Sequence, residues 1–264
     1  MTSLTLAPLL NIAQRAMLSA GKKVFFLRNN VDSFSPIQKA DPILALELSK
    51  IIEKEIINEL AYSFPDHKIN VASDSSGAYS SENNEHQWHI GISGIDNLIH
   101  SFPFYAVSIA YCFNGKTQLG IVYNPATEES YVAMRQEGAT LNDKRIRVAK
   151  PNELLANSFI SLNTNYCHTK NEDALALIPK LSKQVKDIRM LGSEALDLCL
   201  LAEGCVAAFI GHSLNYTQIA AAQLIATEAG AIFVDFNGAD ADQYTQNILA
   251  CSPKQLKLFL KSLA

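Results

Sequence analysis

Apolar residues recur at helical spacing through the first sixty positions of this chain. Leu9, Ile12, Ala13, Ala16 and Ala20 predict an amphipathic helix over 8–27. A connection rich in Ser, Asn and Pro follows over 29–36. A second helix is predicted over 42–62, with Ile43, Leu44, Leu46, Leu48, Ile51, Ile52, Ile56, Ile57 and Leu60 as its apolar side and Pro42 in its first turn. Residues 68–71 suit a short strand, and the polar run over 73–87 reads as a long loop. The period then shortens. Strands are predicted over 104–112, 117–123 and 129–134, joined at Asn114-Gly115 and Asn124-Pro125, with further short strands over 138–148.

Beyond residue 148 strands and helices alternate. Strands are predicted over 159–162, 188–190, 206–210, 232–235 and 247–250. Helices are predicted over 173–184, 194–202, 219–230 and 253–263. The pattern divides the chain into an α+β half with a mainly antiparallel sheet over 1–148 and an α/β half over 149–264.

Composition narrows the picture. Of 264 residues, 48% are hydrophobic, which excludes a disordered chain. Charged residues make up 18%, below the usual quarter or so. The formal net charge of −4 argues against nucleic-acid binding by bulk positive charge. Asn11, Gln14 and Arg15 interrupt the N-terminal apolar positions, unlike a secretory signal, and no apolar run approaches a membrane span. Five scattered cysteines (Cys112, Cys167, Cys199, Cys205 and Cys251) form no CxxC pair, so reduced thiols in a cytoplasmic protein are expected.

Residues 97–148 carry a family likeness. FPFYAVSIA, followed by GIVYNPATEESYVAMRQEGATLNDKRIRVA, resembles the inositol monophosphatase pattern FPxFAVSIA…GVVYxPxxxExFxAxxGxGAxLNGxxIxVS. RMLGSEALDLCLLAEGCVAAF and AAAQLIATEAGA extend the likeness, and LLNIAQRAMLSAG resembles the family's opening helix. Within that family the chain is most similar to the bacterial SuhB-like group. The resemblance implies a layered αβαβα sugar-phosphatase fold and Mg²⁺-assisted hydrolysis of phosphomonoesters such as inositol 1-phosphate. It also implies a homodimer, with a protein partner in transcription or RNA processing.

The family collects Mg²⁺ on converging carboxylates, the hard oxygen ligands this ion needs. At those positions the chain departs from the pattern. Counting back from Trp88 sets Asp74-Ser75-Ser76-Gly77 on the Glu-Glu-Ser segment, whereas the upstream spacing points to Ala72 or Ser73. Ser93-Gly94 fall on the Asp-Gly of Asp-Pro-x-Asp-Gly-Thr-Thr, and the first Asp falls on Ile90 or Gly91. Asp96 and Asn97 stand near the two threonines. Trp-Asp has become Thr217-Gln218, the second-helix Asp has become Ser49, and an acidic ring contact aligns with Gly211. Asp74 is thus the one retained candidate ligand, and Glu53, Glu55, Glu128 and Glu129 are taken to lie away from the pocket. A catalytically degenerate, regulatory protein without a metal cofactor is expected. The alternatives are a Mg²⁺ phosphatase with relocated ligands at Asp74 and Asp96, or a small-anion or sugar-phosphate sensor.

Three further groupings are weighed. Gly192-Ser193-Glu194 opens a helix, where free N–H groups hold anions, and matches the family's substrate segment; Ser193 is also a natural helix cap. His86, His89 and His100 are more simply packed or solvated than metal-bound. Ser93, His89 and Asp96 make a triad only on paper, with no nucleophile elbow. Lys39 reads as a solvated cation.

Overall fold

A computed structural model describes residues 6–31, 33–73, 85–150, 154–164 and 172–263. The chain forms five layers. Helices α1 (Leu6–Val31) and α3 (Pro42–Ser63), with the short α2 (Pro36–Lys39) between them, make the first. The second is a seven-stranded sheet whose strands follow in chain order: β1 (Lys68–Val71), β2 (His86–Ser93), β3 (Ala106–Phe113), β4 (Lys116–Asn124), β5 (Glu129–Met134), β6 (Gly138–Leu141) and β7 (Lys144–Ile146). Every pairing is antiparallel except β1 with β2. The five-residue helix α4 (Ile95–Ile99) follows β2.

The second sheet has the order β11-β12-β10-β8-β9, built from β8 (Phe159–Asn163), β9 (Asp187–Arg189), β10 (Ala208–Gly211), β11 (Ile232–Val234) and β12 (Ile248–Cys251). Helices α6 (Glu194–Glu203) and α7 (Tyr216–Glu228) fill the space between the sheets. Helices α5 (Glu172–Leu181) and α8 (Leu256–Leu263) cover the outer face of the second sheet. This is the layered αβαβα arrangement that the sequence implies. No described helix is long and apolar enough to cross a membrane.

The middle layer explains the run of alanines in α7. Ala220, Ala221, Ala222 and Ala226 are all buried, because the helix is enclosed by sheet on both sides. It also sits unusually close to the first sheet. A Cβ on Gly120 would stand 2.7 Å from the Ala221 carbonyl oxygen, and one on Gly91 would stand 2.8 Å from Gln218 Cα. Only glycine fits at either strand position.

Several boundaries differ from the sequence reading. Helix α1 runs four residues further, to Val31, because Val24 and Val31 continue its buried stripe. The polar run over 73–87 ends earlier, since His86 and Gln87 already pair with Phe113 and Cys112. Strand β2 escapes a simple alternation pattern because its last six residues, from Trp88 to Ser93, are all buried between helical layers.

At the entry to β2, His67 and His86 stack with ring centroids 4.6 Å apart. Trp88, fully buried, donates its indole N–H to His67 Nδ1 at 3.1 Å. His86 Nδ1 lies 2.5 Å from the hydroxyl of buried Tyr111. Burial and the neighbouring His86 lower the pKa of His67.

Asp197 of α6 is fully buried, with Ser161 and Asn163 as its polar neighbours and the Glu194 charge nearby. Burial pushes its pKa up to about 8. The folded state therefore binds a proton that the unfolded chain releases near pH 4, so this group lowers stability as pH rises from about 4 to 8. Asp197→Asn is expected to flatten that slope and to stabilise the protein at pH 8 by about 1–3 kcal/mol. Urea unfolding at pH 5, 6.5 and 8 measures this; a slope unchanged in the variant would assign it to other groups.

Candidate functional site

A cleft of about 630 Å³ lies where β1, β2 and the starts of α3, α6 and α7 converge. Strand β2 lines it with Ile92 and ends at Ser93, directly behind that wall. Because side chains alternate along a strand, Ser93 and Gly91 face α7 together with His89, while Trp88, Ile90 and Ile92 enter the core beneath α1 and α3. Ser93 is fully buried. Its Oγ donates to Glu194 Oε2 at 2.7 Å and accepts from Ser193 Oγ at 2.9 Å and from the Ala195 N–H at 3.2 Å. The N-terminus of α6 is therefore capped from across the cleft. Ser193 occupies the cap position but makes no capping bond with its own side chain, so the expected Ser193 cap is replaced by Ser93.

Gly192, in the left-handed region at φ +76°, carries the turn into α6. Asn97 holds that turn, its Nδ2 donating to the carbonyl oxygens of Leu191 and Phe104 at 2.7 Å each. Gly94, at φ +77°, starts α4, and a side chain there would meet the Phe104 carbonyl oxygen at 2.7 Å.

Gln218 lies in the first turn of α7. Its Nε2 donates to the Ile92 carbonyl oxygen at 2.7 Å, and its own carbonyl accepts from Ser108 Oγ at 3.3 Å. Asn215 caps this helix through the Thr217 N–H and lines the same cleft. Ser49 turns back onto its own helix, donating to Ala45 O at 2.9 Å.

Ala72 and Ser73 line the cleft, as the upstream spacing suggests. Asp74 and Ser75, placed there by counting back from Trp88, lie outside the described residues. Ser73 donates both its N–H and its hydroxyl to the buried Glu53. Glu53 is the correction to the sequence reading: it is a carboxylate of this cleft and does not lie elsewhere. Its distance of four residues from Ser49 is the signal that could have found it, since both sit on one helix face. Lys39, Asp41 and the exposed Asp96 complete the charged lining, and Asp41 caps α3 through the Ile43 N–H.

The other groupings do not assemble. His86 and His89, three apart on a strand, point to opposite faces. His89 approaches Thr217 Oγ1 at 3.3 Å and meets the Tyr216 ring edge-on; burial, then Lys68, lowers its pKa to about 4. Ser93 bonds to Glu194, four strand residues (roughly 13 Å) from His89, so no triad forms with Asp96. Gly211 pairs within the second sheet, and a side chain there would stand 2.5 Å from Leu214 Cδ1.

Among the described residues the donor set falls short of what a Mg²⁺ ion takes. The ion requires near-octahedral oxygen ligands with carboxylate charge to offset its dehydration. Among the described residues no three His, Cys, Asp or Glu side chains converge to hold a metal. Glu53 and Glu194 already accept hydrogen bonds from Ser73 and Ser93, and Gln218 presents its amide N–H to a carbonyl.

Two sheets separated by paired helices, with a cleft at the end of the first sheet, define a layered phosphatase-type fold. The chain belongs to the inositol monophosphatase family, whose model matches residues 6–263. It is 35% identical to the protein named Nus factor SuhB of Vibrio cholerae, over 96% of this chain and 95% of that one. It is 33% identical to Nus factor SuhB of Escherichia coli K12, over 97% and 96%. Among solved structures it is similar to the extragenic suppressor protein suhB of Bartonella henselae, at a TM-score of 0.85 and 27% identity over 97% and 98% of the two chains. An inositol monophosphatase from Anabaena gives 0.84 and 25% identity over 98% and 96%.

Removing the hydroxyl of Ser93 leaves the Ala195 N–H, Ser193 and Glu194 without their shared partner. Ser93→Ala is expected to cost about 1–3 kcal/mol of stability. Equilibrium urea denaturation checks this, and a loss under a few tenths of a kcal/mol would show that the Ser93 network contributes nothing.

Proposed function

We propose that this chain is a regulatory, SuhB-like member of the family that acts through a protein partner in transcription and does not run metal-assisted phosphomonoester hydrolysis. The observation that carries the reading is the state of Ser93 and Gln218. They stand where the family pattern has carboxylates, and both are neutral donors already committed to Glu194 and to the Ile92 carbonyl. Each substitution removes a charge the cation needs, and each also fills the vacated position with a hydrogen bond. The pocket is thereby satisfied without a metal. The names of its relatives, Nus factor SuhB, support the transcription setting.

A second reading keeps phosphatase activity with ligands moved to Asp96 and Asp74; the exposed Asp96 carboxylate at the cleft favours it. A third keeps the cleft as a sensor for a small anion or sugar phosphate.

Purified protein is to be assayed with inositol 1-phosphate and a generic phosphate ester, with and without millimolar Mg²⁺. No metal-dependent turnover above that of a Ser93→Ala, Gln218→Ala variant is expected; turnover above it would sink the degenerate reading. The Ser93→Asp, Gln218→Asp variant is expected to be less stable than the parent without divalent ions, by about 1–3 kcal/mol, since it places a new carboxylate beside Glu194. Melting scans with and without Mg²⁺ read this out.

The partner arm uses transcription elongation complexes from the same source. Co-elution of the chain with them on size exclusion is expected, and separate elution contradicts the regulatory role. A homodimer, as the family resemblance implies, belongs to the same proposal and predicts sedimentation at twice the 28.9 kDa chain mass.

A further inference from the structure

A second cavity, of about 430 Å³, opens between the β3–β4 turn, β5, α7 and residues 241–244. Two cations line it, Lys116 and Arg135. Arg135 is half-buried, and its Nε donates to the Thr117 carbonyl oxygen at 2.7 Å, which fixes the guanidinium plane in the cavity wall. Among the described residues neither cation forms an ion pair.

Two groups that feel the Arg135 charge are themselves uncharged. They are the Tyr216 hydroxyl and the Cys112 thiol, which join Thr117 Oγ1 in one cluster, with Thr117 to Tyr216 at 2.8 Å. Burial pushes the pKa of both up, so both remain protonated at neutral pH. The acid in the lining is Asp242. Its Oδ1 is occupied by its own loop, accepting from the Tyr244 N–H at 2.9 Å and from Thr245 Oγ1 at 2.8 Å.

The arginine guanidinium is suited to planar, bidentate recognition of anions. Its planar fork matches phosphate and carboxylate oxygens, and Lys adds a second point charge. The rest of the lining is uncharged, with the polar Thr117, Tyr216, Gln223, Thr227 and Gln243 beside the apolar Leu224 and Ala241. Gln223 projects from α7, and the Tyr244 ring lies 79% exposed at the rim, where it offers a flat face to a bound molecule.

We propose that this cavity is a binding site for a small phosphate-bearing ligand, with the phosphate between Arg135 and Lys116 and the remainder of the molecule against Tyr244. Phosphate fits two flanking cations better than a singly charged carboxylate does. The site is separate from the Ser93 cleft and does not depend on what that cleft does.

The test is a titration of the full chain with inorganic phosphate, with glycerol 2-phosphate, and with acetate as the singly charged control. NMR follows the Arg135 Nε–H signal, and calorimetry gives affinities. A saturable shift of that signal with both phosphates, and a weaker one with acetate, is expected. Binding should fall at least tenfold in Arg135→Gln and several-fold in Lys116→Gln, with Arg135→Lys intermediate. Equal binding by Arg135→Gln and the parent overturns the proposal. So does a shift confined to residues of the Ser93 cleft, or one that never saturates. If Arg135→Gln fails to fold, the Lys116→Gln affinity and the shift map of the unaltered protein decide the matter. Glycerol 2-phosphate binding more tightly than inorganic phosphate would place an organic ester here; the reverse order would overturn the part of the proposal that seats the remainder of the ligand against Tyr244.

Discussion

The backbone of α7 rests directly on the first sheet. Gly91 and Gly120 leave no Cβ between strand and helix, and Ser108 bonds to the Gln218 carbonyl across the seam. Close packing of this kind has little slack, so the position of the helix is fixed by the strands beneath it. Much of the cleft inherits that position. Gln218 reaches the Ile92 carbonyl because its Cα stands over Gly91, and Asn215 enters the cleft because it caps the same helix. On the far side α6 is set by Ser93, the last residue of the strand on which α7 lies. One strand thus places both helices.

The same placement ties the cleft together through hydrogen bonds. Converging carboxylates repel one another unless a cation sits between them, so such a site depends on its ion. Here Ser93 bonds to Glu194, Ser73 to Glu53 and Gln218 to Ile92. Each link joins elements distant in the chain, and together they cross-link the walls of the cleft. Hydrogen bonds to charged acceptors are the stronger kind, and two of the three end on a carboxylate.

Much of the fold was legible because its local signals agree with one another. The Asn114-Gly115 turn, the alternation from β3 to β5 and the helical spacing of α1 and α3 all point to elements that exist. Strand β2 was harder to read, since burial on both faces erases the alternation that marks a strand. The five-residue α4 is too short to show a period. At the cleft, Ser93, matched from the downstream side to the family's Asp-Gly, meets the start of α6 at Glu194. The residue reached by counting back from Trp88, Asp74, lies outside the described residues, while Ser73, from the upstream count, meets Glu53. Glu53 was passed over because its partner lies twenty residues away. Arg135 belongs to the same class of miss: a lone arginine in a turn gives no hint of whether an acid stands beside it.

Trp88 is the single tryptophan of the chain. It lies in the stack of His67, His86 and Tyr111, five residues before Ser93 on the same strand. The protein therefore carries an optical reporter of its own in the strand that builds its cleft. Indole emission responds to the polarity around the ring and to the state of its N–H bond. Any event that shifts β2, whether a ligand settling beside Ser93 or a partner pressing on α1 and α3, is transmitted to a chromophore with no competing signal elsewhere in the sequence.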